Sequence, residues 1–116
     1  MKITRIETFT VGAGWKSWLF VRLHTDTGLT RIGEGTLNGF IRTVEAAVRE
    51  LDHFVVGHDP RRVGTLAKAM LDGVSFDGGH IHRTAIAAVE VACWDILGKS
   101  LGVPIHALVR GRASSP

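Results

Sequence analysis

The chain has 116 residues, of which 45% are hydrophobic and 22% are charged. This length and composition are typical of one folded domain, because a chain of this size buries roughly two-thirds of its unfolded surface. The formal net charge is +3, but Lys and Arg are dispersed along the sequence. This dispersion argues against nucleic-acid binding, which needs a clustered basic surface.

The cysteine content and the lengths of the apolar runs indicate in which cellular compartment the protein is expected. The single cysteine, Cys93, excludes an intramolecular disulfide and favours a reducing, cytoplasmic environment. Residues 1–9 lack the apolar core of a signal peptide, and no apolar run reaches the length of a membrane span. We therefore expect a cytoplasmic protein with no membrane partner.

Residues 2–38 are predicted to form strands. The first, residues 2–11, is rich in β-branched residues, although its alternation is imperfect around Arg5 and Ile6. We expect the glycine-containing stretch that follows to end this strand and to form a loop over residues 12–17.

Two further strands are predicted after this loop. Residues 18–25 alternate well, with Leu19, Val21 and Leu23 pointing to one side. Asp-Thr-Gly at 26–28 is a turn signal, so residues 29–34 should fold back as the third strand. The prediction is a three-stranded antiparallel meander that needs helices on one face.

The second half of the chain is predicted to be helical. Residues 41–54 carry an apolar stripe of Val44, Ala47, Val48 and Leu51. Asp59-Pro60 predicts the start of a second helix, with Asp59 as its N-cap and Gly73 as its end. The apolar face of that helix should contain Val63, Leu66, Ala67, Met70 and Leu71.

A glycine-rich link over residues 72–82 precedes the central helix, residues 84–101. Small and apolar side chains cover most of this helix, so we expect other elements to surround it and a neighbouring backbone to approach it closely. Gly102 followed by Pro104 predicts its end. The fold class is therefore α+β, a three-stranded meander followed by a helical bundle.

Residue chemistry alone supplies no complete catalytic set. His80 and His82 would share a face on a strand, with Asp77 nearby, but loop histidines are more often surface groups than metal ligands. Glu34, between two glycines, is a candidate functional acid at a strand end, but we favour its interpretation as an ion-paired or loop-bonding glutamate. Cys93 lies on an apolar helical stripe, where cysteine packs as a small hydrophobe.

Several strings nevertheless resemble a known family. They are MKITRIETF (1–9), the hairpin at 21–40, VGHDPRR (56–62) and, most specifically, the segment at 85–111 with its WDILGK and LGVP sequences. They resemble the N-terminal domain of the enolase superfamily, in the mandelate racemase and muconate lactonizing enzyme branch. The combination of TLNG, GHDPRR and GGHIH is most similar to acid-sugar dehydratases that act on galactonate or mannonate.

The resemblance implies an N-terminal capping domain at residues 1–111, with 112–116 as a frayed tail. In this family such a domain closes over a (β/α)₈ barrel, which holds Mg²⁺ and the bases that remove a proton α to a carboxylate. This chain contains no barrel sequence, so the resemblance implies an Mg²⁺-dependent lyase or isomerase as the parent enzyme and no activity for the chain alone. We also expect the apolar surface that meets the barrel to favour a homo-oligomer.

The resemblance also implies the substrate contacts. Two loops of the cap reach the substrate in this family, and they match residues 12–17 and 36–40. Asn38 matches a substrate-contacting position, and its amide can both donate and accept hydrogen bonds. Trp15 as a wall, Lys16 as an anion partner and His82 as a rim contact complete the expected substrate-binding set. The alternative is a non-catalytic domain that binds itself or another partner.

Overall fold

The computed structural model describes residues 1–13, 16–73 and 79–103. Its elements in chain order are β1 (Ile3–Ala13), β2 (Lys16–Thr25), β3 (Thr30–Glu34), α1 (Ile41–Glu50), α2 (Asp52–Val55), α3 (Val63–Gly73) and α4 (Gly79–Leu101). The strands form one antiparallel sheet in the order β1-β2-β3. The predicted three-stranded meander followed by helices is confirmed.

The helices pack on one face of the sheet. Leu19, Val21 and Leu23 of β2 are fully buried against them, which confirms the predicted alternation. The register of the pairing between β1 and β2 shifts between Ile3 and Arg5. Strand β1 therefore contains a bulge close to where the sequence alternation is imperfect. This bulge turns Ile3 into the core while Arg5 stays exposed.

The expected loop over residues 12–17 is wrong. Gly12 lies opposite Ser17, and Ala13 lies opposite Lys16, so both strands extend into the predicted loop. Glycine lacks a side chain to pack but keeps both backbone hydrogen-bonding groups, and a hairpin can close with only two residues between its strands. Lys16 and Ser17 therefore belong to β2, and residues 14–15, including Trp15, lie outside the described residues.

The predicted helix at 41–54 is two helices. The N–H of Leu51 donates to the carbonyl of Val48, and that of Phe54 donates to Leu51, so the hydrogen bonds tighten to three-residue spacing at this point. The predicted stripe is nevertheless buried in full, which confirms it: Val44, Ala47, Val48 and Leu51.

Helix α3 begins at Val63, later than the predicted start at Asp59-Pro60. Asp59 Oδ1 accepts the backbone N–H of Arg61 at 2.9 Å, and its carboxylate also pairs with the Arg61 guanidinium at 2.7 Å. Asp59 therefore closes a turn rather than capping a helix. Val63, Leu66 and Met70 are buried as predicted, but Leu71 is exposed.

Helix α4 begins at Gly79, so the predicted link is helical from that residue onward. Its apolar stripe is buried as predicted, and it ends in a Schellman motif. Gly102 has φ +70°, its N–H donates to Lys99, and the N–H of Val103 donates to Gly98. Within the described residues, no helix has the length and apolarity needed to cross a membrane.

A close backbone approach joins β3 to α4 in the core. A Cβ added to Gly33 would lie 1.9 Å from the carbonyl oxygen of Ala88, and one added to Gly35 would lie 3.3 Å from Ala88 Cβ. The two glycines and the alanine therefore let strand and helix touch, as the small-residue stripe predicted. This contact places the end of β3, and the segment after it, at a fixed position against α4.

Candidate functional site

The segment after β3 forms a tight turn that presents Asn38. The N–H of Phe40 donates to the carbonyl of Leu37 at 2.9 Å, and Gly39 has φ +84°. A positive φ at the third position of a turn is typical of type II, where glycine is favoured. Asn38 occupies the second position, and its side chain is exposed.

Both ends of this turn are anchored to rigid elements. Thr36 Oγ1 accepts the backbone N–H of Leu19 at 3.1 Å, and the N–H of Gly35 donates to the carbonyl of Leu19 at 2.9 Å. On the other side, Phe40 is the N-cap of α1, and its carbonyl accepts the N–H of Val44. Asn38 is therefore held in place by the sheet on one side and by α1 on the other.

The first residues of β2 face this turn across an open groove. One part of the groove, about 330 Å³, is lined by Lys16, Ser17, Asn38, Gly39 and Ile41. The adjoining part, about 450 Å³, is lined by Thr10, Ser17, Ile41, Arg42 and Glu45. The two parts adjoin at the shared residues Ser17 and Ile41, and together they are here called the hairpin–α1 groove.

The charges of the hairpin–α1 groove favour an anion. Glu45 supplies one carboxylate, but this group already accepts the hydroxyl of Thr8 at 3.0 Å and lies 3.8 Å from the guanidinium of Arg49. Lys16 and Arg42 supply two cations, and Arg42 has no ion pair among residues 1–13, 16–73 and 79–103. Hydroxyls, an amide and two cations suit a small, hydroxylated anion.

The groove contains two of the four residues predicted to bind substrate. Lys16 and Asn38 come together across its first part. Trp15 lies outside the described residues. His82 is half-buried in the first turn of α4 and does not line the groove, so the structure does not bring it to Asn38.

Sequence reasoning missed Thr10, Arg42 and Glu45 in the second part of the groove, although Ser17 lies in the first of the two substrate loops implied by the resemblance. Thr10 lies opposite Leu19 on the core side of the sheet, and Thr8 lies opposite Val21. A hydroxyl-bearing residue at a core-facing register position is the signal that could have identified this surface. Arg42 and Glu45 gave no comparable signal, because charged residues at the start of a helix are usually solvated.

The metal hypothesis for His80 and His82 rests on a strand that does not form. Both residues lie in α4, where a separation of two places side chains about 200° apart, and Asp77 is outside the described part of the chain. No group of three His, Cys, Asp or Glu side chains that could hold a metal occurs within the described residues. The described residues therefore do not fit an Mg²⁺ site.

The other candidate groups have structural roles or none. Cys93 is buried, and burial raises the pKa of its thiol to about 12, so it is not a nucleophile. Asp95 pairs with Arg31 at 3.4 Å and joins α4 to β3. Glu34 is exposed, and the favoured interpretation of an ion-paired glutamate finds no partner in the described segments.

The family model for the mandelate racemase/muconate lactonizing enzyme N-terminal domain matches residues 5–110. The D-galactonate dehydratase of Ralstonia nicotianae is 44% identical over 111 residues, which is 96% of this chain and 28% of that protein.

Solved structures show the same fold in longer chains. An enolase from Agrobacterium radiobacter, with bound sodium and L-malate, superposes with a TM-score of 0.86 at 30% identity over 93% of this chain and 27% of its own. An enolase from Pantoea ananatis, with bound D-gluconate and magnesium, gives 0.85 at 28% identity over 92% and 26%. The chain thus spans less than a third of the length of these relatives.

Proposed function

Because the chain belongs to the mandelate racemase/muconate lactonizing enzyme family as its N-terminal domain, we propose that it is the substrate-facing cap of an acid-sugar dehydratase acting on D-galactonate. One observation carries this proposal: 44% identity to a D-galactonate dehydratase extends over 96% of the chain. The groove supports it, since its polar groups suit a hydroxylated carboxylate.

The cap binds and orients the substrate, and the reacting groups belong to a (β/α)₈ barrel domain. Mg²⁺ held by that barrel supplies charge stabilisation next to the reacting carboxylate. An enolase structure with this fold contains magnesium and D-gluconate in a chain more than three times as long, which supports this division of roles. Residues 1–111 form the cap, and the enzyme is a cytoplasmic homo-oligomer.

Asn38 and Lys16 perform the binding. The Asn38 amide donates to, and accepts from, the hydroxyls of the sugar chain, and the Lys16 ammonium attracts the anion. The anchored turn keeps Asn38 in position before substrate arrives, so little ordering entropy is lost on binding. Closure of the groove over the substrate also excludes water from the reacting face.

A chimeric enzyme tests the proposal. Residues 1–111 replace the matching N-terminal segment of the Ralstonia nicotianae D-galactonate dehydratase, and turnover of D-galactonate is measured with Mg²⁺ present. We expect turnover, and we expect Asn38→Ala to lower kcat/KM by about fivefold to a hundredfold, since leaving a buried substrate hydroxyl without its partner costs about 1–3 kcal/mol.

Thr43→Ala is the matched control, because Thr43 is exposed on α1 and lines neither part of the groove. It should leave kcat/KM unchanged. A folded chimera that dehydrates no acid sugar would refute the proposal, and equal kinetics for the Asn38 and Thr43 variants would remove Asn38 from the site. A non-catalytic interaction domain remains the alternative, but no specific contact in the structure favours it.

A further inference from the structure

The pairing between β2 and β3 ends on a side chain rather than on the backbone. The last pair within the strands is Phe20 with Glu34, and beyond it the N–H of Gly35 donates to the carbonyl of Leu19 at 2.9 Å. In this register an antiparallel pair returns a second bond, from the N–H of Leu19 to the carbonyl of Gly35. In the structure that N–H donates instead to Thr36 Oγ1 at 3.1 Å.

The Thr36 hydroxyl thus replaces a backbone carbonyl as the last acceptor of the ladder. Leu19 is fully buried, so its N–H needs a partner within the protein. Because a side-chain oxygen fills that role, the backbone after Gly35 leaves the line of β3 and continues towards α1. The place where residues 36–40 leave the sheet therefore depends on one hydroxyl.

We propose that Thr36 is a positioning residue, whose hydroxyl ends β3 and thereby sets the place of Asn38 at the hairpin–α1 groove. Without that hydroxyl, the strand register offers the carbonyl of Gly35 to the N–H of Leu19. The ladder then gains one bond, and the backbone that leads to Asn38 is drawn towards the line of β3. The kinetic consequence rests on the proposed function, because it assumes that Asn38 binds the substrate.

The turn itself should keep its shape when the hydroxyl is removed. Its internal bond joins the N–H of Phe40 to the carbonyl of Leu37, and Gly39 has a φ of +84°, and neither feature involves the Thr36 side chain. Asn38 is therefore displaced together with the turn. A displacement of about 1 Å at a group that orients the substrate lowers the rate by up to about a hundredfold.

Kinetics on the chimera test the proposal. Thr36→Val keeps the shape of the side chain and removes the hydroxyl, and we expect it to lower kcat/KM for D-galactonate about tenfold. Thr36→Ser keeps the hydroxyl, so its kcat/KM should stay within about twofold of the unchanged chimera. If the valine variant does not fold, Thr36→Ala removes the same hydroxyl and takes its place.

A double-mutant cycle shows whether Thr36 acts through Asn38. In the Asn38→Ala background, Thr36→Val should lower kcat/KM by less than about twofold, because no amide remains to be positioned. An equal loss in both backgrounds would overturn the proposal. The matched control is Thr30→Val, since Thr30 is another half-buried threonine, at the opposite end of β3 where it pairs with His24. This control should leave kcat/KM unchanged.

A measurement on the 116-residue chain separates this inference from the proposed function. The backbone amide resonances of Asn38 and Gly39 are compared among the ¹⁵N-labelled unchanged chain, Thr36→Val and Thr36→Ser. We expect the valine variant to shift both resonances and the serine variant to leave them near their original positions. Unshifted resonances in the valine variant overturn the proposal even if the chimera dehydrates D-galactonate. An inactive chimera refutes the dehydratase assignment alone, and the resonances then decide whether Thr36 positions Asn38.

Discussion

The contact between β3 and α4 gives the strongest stability prediction. A Cβ at residue 33 would lie 1.9 Å from the carbonyl oxygen of Ala88 and 2.9 Å from its carbonyl carbon. These are helix backbone atoms, so no rotamer change relieves the clash. Overpacking costs about 1–3 kcal/mol when side chains can adjust. We therefore expect Gly33→Ala to lower the free energy of unfolding by about 3 kcal/mol or more, a large part of the usual 5–15 kcal/mol.

Gly35 offers a comparison in which the added Cβ would meet a side-chain atom of Ala88 rather than its backbone. A Cβ at residue 35 meets Ala88 Cβ at 3.3 Å, so a small shift accommodates it and Gly35→Ala should cost about 1 kcal/mol. Ala88→Gly removes that obstacle and should couple favourably with Gly35→Ala. It leaves the Ala88 carbonyl in place, so it should not rescue Gly33→Ala. A double-mutant cycle thus separates side-chain crowding from backbone contact.

Urea unfolding of the purified chain, followed by circular dichroism, measures these differences. Gly64→Ala is the control, since Gly64 is exposed in α3 and an added Cβ meets nothing within 4 Å. It should stabilise the chain by about 0.4–1 kcal/mol. The reasoning fails if Gly33→Ala lies within about 0.5 kcal/mol of the unchanged chain, the usual range for surface substitutions, or if Ala88→Gly restores its stability.

Two further predictions follow from titratable groups. Cys93, with its pKa raised to about 12 by burial, should react with a thiol-specific disulfide reagent at about pH 8 only as fast as the chain unfolds; labelling that is rapid and independent of urea would contradict this. The hydrogen bond to Arg61 lowers the pKa of Asp59 from 3.8 to about 2. The Asp59–Arg61 pair therefore stabilises the fold fully above pH 3.8, and this stabilisation is lost as the pH falls towards 2. Asp59→Asn should remove this part of the acid dependence of the free energy of unfolding, which amounts to less than about 1 kcal/mol because the pair is on the surface. If the urea midpoints of the variant and the unchanged chain fall in parallel over this pH range, the pair contributes nothing.

The order of elements could be predicted from the sequence because each has a strong local pattern. The alternation of Leu19, Val21 and Leu23 and the stripe of Val44, Val48 and Leu51 reflect burial directly, and burial is what the structure shows. Boundaries were less predictable. Asp59 has the side chain of an N-cap but bonds to Arg61, and only the three-dimensional turn reveals that competition.

The candidate site could be predicted only in part. Asn38 followed from the resemblance, and its anchored turn agrees with the Asn-Gly sequence. Arg42 could not be found in this way, because its place in the groove depends on how α1 packs beside the hairpin in space rather than on a sequence pattern. Ser17 fell in the expected loop, where a residue has no predictable facing direction, whereas Thr10 lay in the predicted first strand and its core-facing position follows only from its register opposite Leu19.

Under the proposed function, one face of the sheet serves both stability and recognition. From Leu19 towards Thr25, core-facing residues of β2 are buried under the helices, whereas Thr10 and Ser17 lie beyond that cover and are exposed. The rows of side chains are continuous, so the buried end fixes the register of the exposed end. Polar residues at the tip therefore gain a defined position while contributing little to the core. Specificity can change there at small cost in stability, whereas Gly33 and Ala88, which hold the same sheet against α4, cannot change freely.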